Sequence, residues 1–176
     1  HRRGWYAAAI ACFIAALLSK PSTVSLPAVL LLCVWWQRRR WDRTDLLRVA
    51  PFFALSAAMS LVTIIEQRGH IERAPQDWSL NLTERLLVAG KAFWFYAGKA
   101  LWPVDLSFVY PRWTIGQDLW PLLGLGAVAT GLWHYRQREW ARAGLFGLGY
   151  FVVALLPVLG FFDIYYFRYS FVADHF

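Results

Sequence analysis

The sequence is dominated by apolar blocks of about 14–21 residues, which alternate with short loops rich in Arg, Pro and Trp. A helix needs about 20 mostly apolar residues to cross a bilayer, so these blocks are typical of membrane spans. Hydrophobic residues make up 59% of the 176 residues, whereas soluble domains contain about 45–50%. A chain of this size cannot bury so much apolar surface in one water-soluble core. The sequence therefore predicts an all-α integral membrane protein.

About five blocks are predicted to cross the membrane as a polytopic helical bundle. They cover residues 4–18, 23–36, 46–65, 118–135 and 143–162. Small side chains at regular spacing in the first and fourth blocks are predicted to let neighbouring helices approach closely. These positions are Ala7, Ala11, Ala15, Gly124, Ala127 and Gly131. Pro157 inside the last block is predicted to kink its helix.

The segment of residues 84–102 has the length of a span, but its charges argue against a full crossing. Glu84, Lys91 and Lys99 fall within a narrow sector of a helical wheel, and aromatic residues occupy much of the remainder. This pattern is typical of an interfacial or re-entrant amphipathic helix, or of one that lines a polar cavity. Pro103 is predicted to end this helix.

The positions of the basic loops predict the topology. The strongest basic clusters lie in residues 37–48 and 134–142, and such loops stay on the cytoplasmic side. Both can face the cytoplasm only if segment 84–102 stays at the outer surface, so that two crossings separate them. This arrangement accounts for the net charge of +7 without a nucleic-acid partner. The outer face is then expected to hold the Lys20 turn and residues 66–83, 103–117 and 163–176.

Ionisable side chains gather on the predicted outer face, where they are functional candidates. A lipid headgroup or a lipid phosphate would suit the basic ones. Arg168 is the strongest candidate, because tyrosines and two carboxylates lie near it in sequence. Two structural explanations remain open: Lys20 is part of a solvated turn, and Arg168 has no substrate contact. The same holds for Arg85 and Arg112 as interface anchors or as partners of Glu84 and Asp105, and for Lys91 and Lys99 as snorkelling residues.

The sequence lacks the motifs of several enzyme classes. It has no phosphate-binding Gly-rich loop, no His/Cys metal set, no serine-nucleophile motif and no clear pair of carboxylates. Cys12 and Cys33 both fall inside apolar blocks, which favours free thiols over a disulfide. We therefore assign no catalytic residue and no metal site.

Three stretches resemble bacterial relatives of the transmembrane-and-tetratricopeptide-repeat proteins, in the GT-C clan of membrane glycosyltransferases. They are LLSKPSTVSLPAVLLL (17–32), ERLLVAGKAFWFYAGKALWPVDLSFVYPRW (84–113) and LLPVLGFFDIYYFRYSFVADHF (155–176). The second stretch is the most specific, because W-F-Y, L-W-P and Y-P-R-W occur in it in that order. The clan also includes the protein O-mannosyltransferases, to which the chain is similar.

The resemblance implies transfer of a sugar, with mannose expected, from a polyprenyl-phosphate donor to Ser or Thr of a protein acceptor. The reaction would occur on the non-cytoplasmic face of a bacterial inner membrane, with the lipid-linked sugar as substrate and no assigned cofactor. The catalytic acid of the family lies in a first outer loop that this sequence does not match. Residues 1–176 are therefore interpreted as an internal fragment of the transmembrane domain, inactive alone.

The resemblance also suggests which side chains contact the substrate. Lys20 and Arg168 are the expected ligands of the donor phosphate. Further expected outer-face substrate contacts are Tyr110, Arg112, Asp163, Tyr166, Asp174 and His175. The main alternative is a non-catalytic membrane scaffold that anchors a tetratricopeptide-repeat domain. A transporter is less favoured, because no internal repeat occurs and the polar residues gather at one face.

Overall fold

The structure is a computed structural model, and it describes residues 2–71, 80–116, 118–161 and 165–174. Every regular element in these residues is a helix, and none of them forms a strand, so the all-α class is confirmed. The chain divides into two compact units, His1–Arg68 and Gly69–Phe176, which are described separately.

The N-terminal unit consists of helices that follow one another closely. They are α1 (Arg2–Ser19), a 3₁₀ turn (Pro21–Ser25), α2 (Leu26–Arg38) and α3 (Arg43–Ile71, whose last residues belong to the second unit). Phe13 and Leu17 of α1 pack on Phe52 of α3, and all three are almost fully buried. The Tyr6 hydroxyl donates to the carbonyl oxygen of Arg48 over 2.8 Å. Large side chains therefore join α1 to α3.

The predicted small-residue face of α1 is wrong. Ala7, Ala11 and Ala15 are exposed, and the contact to α3 uses the neighbouring face that carries Phe13 and Leu17. An aromatic side chain buries far more apolar surface than an alanine, so the face with Phe13 gains more from packing.

The turn between α2 and α3 is held by polar contacts. Arg39, in the left-handed region with φ of 60°, ends α2. The Asp45 carboxylate is 5% exposed, lies 3.2 Å from the Arg38 guanidinium and accepts the backbone N–H of Asp42. The Trp41 indole donates to the carbonyl oxygen of Leu31 over 2.8 Å. The turn itself is therefore residues 39–42, and the rest of the predicted basic loop 37–48 lies in α2 and α3.

In its described residues, the C-terminal unit contains three longer helices and two short 3₁₀ turns. They are α4 (Leu82–Leu101), α5 (Trp120–His134), α6 (Glu139–Leu155) and the turns Leu156–Val158 and Tyr165–Arg168. α4 packs against α5, and α5 packs against α6. A Cβ at Gly90 would lie 2.9 Å from Leu122, and one at Gly124 would lie 3.3 Å from Trp94. Glycines thus allow the close approach of α4 and α5.

The predicted small face of α5 is correct at one position only. Gly124 contacts α4, whereas Ala127 is exposed and a Cβ at Gly131 would meet no described atom within 4 Å. The predicted kink at Pro157 is also wrong, because α6 ends at Leu155 and Pro157 lies in the following 3₁₀ turn. A proline inside a helix removes a hydrogen-bond donor and clashes with the preceding turn, so ending the helix avoids both costs.

Two helical stretches in the described residues are long and apolar enough to cross a bilayer. They are Arg43–Gln67 and Glu139–Val158, and they correspond to the third and last predicted spans. Gly4–Ser19 is an apolar helix of shorter length. The other three predicted spans remain predictions. Pro51 lies inside α3, a position that the sequence reasoning did not consider.

Candidate functional site

Two non-helical segments cover one side of α4, and we call them together the loop layer. They are the loop of residues 102–116 and the C-terminal segment of residues 165–174. Val88 of α4 packs with Phe167 and Phe171, which are almost fully buried. Ala92 packs with Val172, and neither has exposed surface. Both segments therefore pack on the small side chains of α4.

Local signals define both ends of α4. Asn81 caps the first turn by accepting the backbone N–H of Glu84, and the Glu84 carboxylate accepts the backbone N–H of Asn81, both over 2.9 Å. At the other end the helix stops at Leu101, in agreement with the predicted effect of Pro103. The Asn-x-x-Glu spacing is a readable capping box that the sequence reasoning missed.

Arg85 binds backbone carbonyl groups at the start of α4. Its guanidinium donates to the carbonyl oxygens of Leu80, Gly160 and Phe161 over 3.0, 3.1 and 3.2 Å. The suggested pairing of Arg85 with Glu84 is therefore wrong, because Glu84 is engaged in the cap. Gly160 has a φ of +98°, which a side chain would strain. Arg85 thus joins the start of α4 to the turn after α6.

Tyr110 and Asp174 are brought together as their assignment to one site requires. The Tyr110 hydroxyl lies 2.6 Å from Oδ2 of Asp174 and 3.0 Å from the carbonyl oxygen of Asp105. The same carboxylate oxygen accepts the backbone N–H of Ser107 over 2.6 Å. Charge-assisted hydrogen bonds of this kind are short and strong. Asp174 therefore fastens the C-terminal segment to the loop.

Lys99 turns towards the loop layer, so the expected snorkelling is wrong. Its ammonium group donates to the carbonyl oxygens of Val104 and Asp105, the latter over 3.0 Å. It also lies 5.3 Å from the ring centroid of Tyr110 and 5.7 Å from that of Phe95. Lys91 has a different contact, 3.3 Å from Asp118 at the start of α5. The predicted charged stripe of α4 is thus divided among three separate contacts.

The remaining basic candidates lie against aromatic rings. The Arg112 guanidinium is 5.0 Å from the centroid of Phe171, so its suggested pairing with Asp105 is not what the structure has. The Arg168 guanidinium is 5.8 Å from the centroid of Tyr169. Stacking of this kind favours a guanidinium over an ammonium group. Both arginines belong to the loop layer, Arg112 in its loop and Arg168 in its C-terminal segment.

Tyr166 joins the two segments a second time. Its hydroxyl donates to the carbonyl oxygen of Phe108 over 2.8 Å. Burial raises the pKa of Tyr166 above its usual value, although a hydrogen bond with Ser170 opposes this shift. Tyr166 is therefore neutral at physiological pH and serves as a hydrogen-bond donor to the loop.

Tyr96 belongs to this site, and the sequence reasoning missed it. Its hydroxyl accepts the backbone N–H of Ala173 over 3.0 Å, and Ala173 has no exposed surface. Burial raises the pKa of Tyr96 to about 12, against the lowering effect of the Ala173 N–H. The helical spacing from Ala89 and Ala92 could have indicated that Tyr96 shares their buried face.

The other predicted positions fall elsewhere. Lys20 lies in the N-terminal unit, is exposed and precedes the 3₁₀ turn, where its carbonyl oxygen accepts the Thr23 hydroxyl over 2.9 Å. Asp163 and His175 lie outside the described residues.

Within the described part of the chain, no three His, Cys, Asp or Glu side chains form a metal-binding group. No protein-family model, curated protein or solved structure matches this chain.

Proposed function

We propose that this chain is the membrane-embedded middle part of a GT-C-like glycosyltransferase. The protein would transfer a sugar, with mannose expected, from a polyprenyl-phosphate donor to protein Ser or Thr on the non-cytoplasmic face. The membrane part of this proposal is supported by the low burial of the two helical stretches that are long and apolar enough to cross a bilayer. Only 17% of the most apolar window of Arg43–Gln67 and 6% of that of Glu139–Val158 are buried. Core helices of soluble proteins are mostly buried, whereas these faces suit lipid.

Helix lengths support five crossings. At 1.5 Å per residue, the 18 residues of α1 reach about 27 Å, close to the hydrocarbon thickness of about 30 Å. α2 alone reaches about 20 Å, but the five-residue 3₁₀ turn leads directly into it and adds about 10 Å. α5 reaches about 22 Å, a mismatch that local thinning of the bilayer accommodates.

The surface position proposed for α4 has separate support. Its length would allow a crossing, but it carries two lysines and is the helix on which the loop layer packs. A helix that holds non-helical segments on one side suits the membrane surface, where those segments reach water and headgroups. In this arrangement the aromatic-stacked Arg112 and Arg168 would lie at the outer leaflet. There they would meet the donor phosphate.

The first test is Arg168→Ala, with Arg136→Ala as the matched control. Arg136 also stacks on an aromatic ring, 5.1 Å from the centroid of Trp133, but lies on the turn proposed to be cytoplasmic. Binding of a polyprenyl phosphate to the chain in lipid nanodiscs is the measurement. Loss of a hydrogen bond to a charged group costs about 1.5–3 kcal/mol, so Arg168→Ala should weaken binding about tenfold or more. Unchanged affinity in Arg168→Ala, or equal losses in both variants, would contradict the proposed site.

A membrane scaffold that anchors a tetratricopeptide-repeat domain is the second candidate. One observation favours it: Lys99, Tyr110, Tyr166 and Asp174 all bind backbone groups of the loop layer itself. Such contacts stabilise a fold and need no substrate. Absence of saturable polyprenyl-phosphate binding by the folded wild-type chain would favour the scaffold over the transferase.

A further inference from the structure

The segment of residues 101–109, which we call the apolar loop, exposes most of its large apolar side chains. The exposed fractions are 84% for Leu101, 72% for Trp102, 48% for Val104, 58% for Leu106, 69% for Phe108 and 46% for Val109. A contiguous patch of this kind marks an interaction surface, because water solvates it poorly. These side chains do not pack inward, although the aromatic rings of Phe95, Tyr110 and Trp113 pack together next to the loop.

Several backbone groups of the apolar loop are bound within the protein. The Lys99 ammonium group donates to the carbonyl oxygens of Val104 and Asp105, and the Tyr166 hydroxyl donates to that of Phe108. The Ser107 hydroxyl donates to the carbonyl oxygen of Val109, and the Val104 N–H donates to that of Trp102. The Ser107 N–H donates to the Asp174 carboxylate. Side chains from α4 and the C-terminal segment thus replace the water that an ordinary surface loop would use.

This combination fits a bilayer better than it fits water. Non-helical backbone can lie at membrane depth only where its N–H and C=O groups are satisfied by protein, since each unsatisfied group costs several kcal/mol there. An aqueous loop gains little from such internal partners, because water serves the same groups. Outward apolar side chains above a backbone that is partly bound by protein suit the bilayer boundary, where water still reaches the remaining N–H and C=O groups.

We infer that the apolar loop inserts into the boundary between the headgroups and acyl chains of the bilayer. Charge complementarity supports this occupant, since the exposed Arg112 follows the loop closely in sequence and suits lipid phosphates. Trp102 is an indole of the kind that concentrates at this depth. The exposed Asp105 side chain keeps the loop at the boundary and out of the hydrocarbon centre. The inference rests on the membrane part of the proposed function and is independent of sugar transfer.

The test measures the depth of nitroxide labels in the full chain. Cys12 and Cys33 are replaced by Ala, and single cysteines are introduced as Phe108→Cys in the apolar loop and Leu106→Cys as a second reporter. Leu61→Cys reports on α3, where Leu61 is 60% exposed, and Gln137→Cys reports on the exposed turn before α6. The labelled protein is reconstituted into phosphatidylcholine vesicles containing phosphatidylglycerol. Electron paramagnetic resonance then compares collisions with oxygen, which concentrates in lipid, and with a water-soluble nickel chelate.

The expected result is oxygen-dominated relaxation at positions 108, 106 and 61, and nickel-dominated relaxation at 137. Nickel-dominated relaxation at 108 and 106 with oxygen-dominated relaxation at 61 would overturn the lipid-facing loop and leave membrane integration intact. That outcome would point to water or a protein partner on the loop. Nickel-dominated relaxation at 61 as well would overturn both the loop and the membrane part of the proposed function.

Discussion

Tyr96 illustrates how a single half-buried side chain holds the loop layer. Its hydroxyl is the acceptor for the backbone N–H of the fully buried Ala173, so Tyr96→Phe leaves that donor without its partner. The cost of an unsatisfied buried donor is about 1–3 kcal/mol in the free energy of unfolding. Chemical denaturation in detergent micelles measures it, with Tyr150→Phe as the control. Tyr150 is 49% exposed, and its replacement should change stability by less than about 0.5 kcal/mol.

The raised pKa of Tyr96 adds a pH dependence to this prediction. Because the folded-state pKa of about 12 exceeds the usual value of 10.0, the associated stability is fully present below pH 10. It is lost as the pH rises towards 12, so the advantage of wild type over Tyr96→Phe should shrink across that interval. A difference between the two proteins that stays constant up to pH 12 would contradict burial of the phenol.

At the residue scale, the sequence placed Tyr110 and Asp174 on one face but predicted neither their hydrogen bond nor the role of Lys99. Polar residues in two segments next to one helix can be assigned to one site from their positions in sequence. Lys99 binds carbonyl groups of an irregular loop. The sequence of such a loop has no periodicity from which its backbone path can be predicted. For the same reason Arg85 was wrongly paired with its sequence neighbour Glu84, while its partners Gly160 and Phe161 lie far along the chain.

At the scale of elements, Gly90 determines how closely α4 and α5 pack. An added Cβ would lie 2.9 Å from Leu122 Cδ2 and 3.4 Å from the Leu122 backbone nitrogen, so Gly90→Ala should separate the helices. Overpacking costs about 1–3 kcal/mol in the free energy of unfolding. Gly98→Ala on the same helix meets no described atom within 4 Å and should be neutral or stabilising by up to about 1 kcal/mol. Equal effects of the two changes on the denaturation midpoint would contradict this packing.

Helices were predicted more reliably from the sequence than their contacts. The six α-helices of the described residues each overlap a predicted segment, because apolar blocks and the prolines at positions 27 and 103 mark them clearly. Packing faces were less predictable, as Ala7, Ala11 and Ala15 show. In a helix that is apolar on all sides, composition does not indicate which side meets a neighbour. The sequence therefore predicted the alanine face as the contact face, whereas the structure uses the face that carries Phe13.

At the scale of the whole molecule, the proposed topology requires α4 to lie at the outer surface while the apolar helices cross. Labelling of single cysteines by a membrane-impermeant thiol reagent in intact spheroplasts tests this most directly. The cysteines replace the exposed Thr83, Thr114 and Gln137 in a chain without Cys12 and Cys33. Positions 83 and 114 should react from outside, and position 137 only after permeabilisation. Thr83→Cys and Thr114→Cys reacting from opposite sides would show that α4 crosses the membrane and would contradict the account.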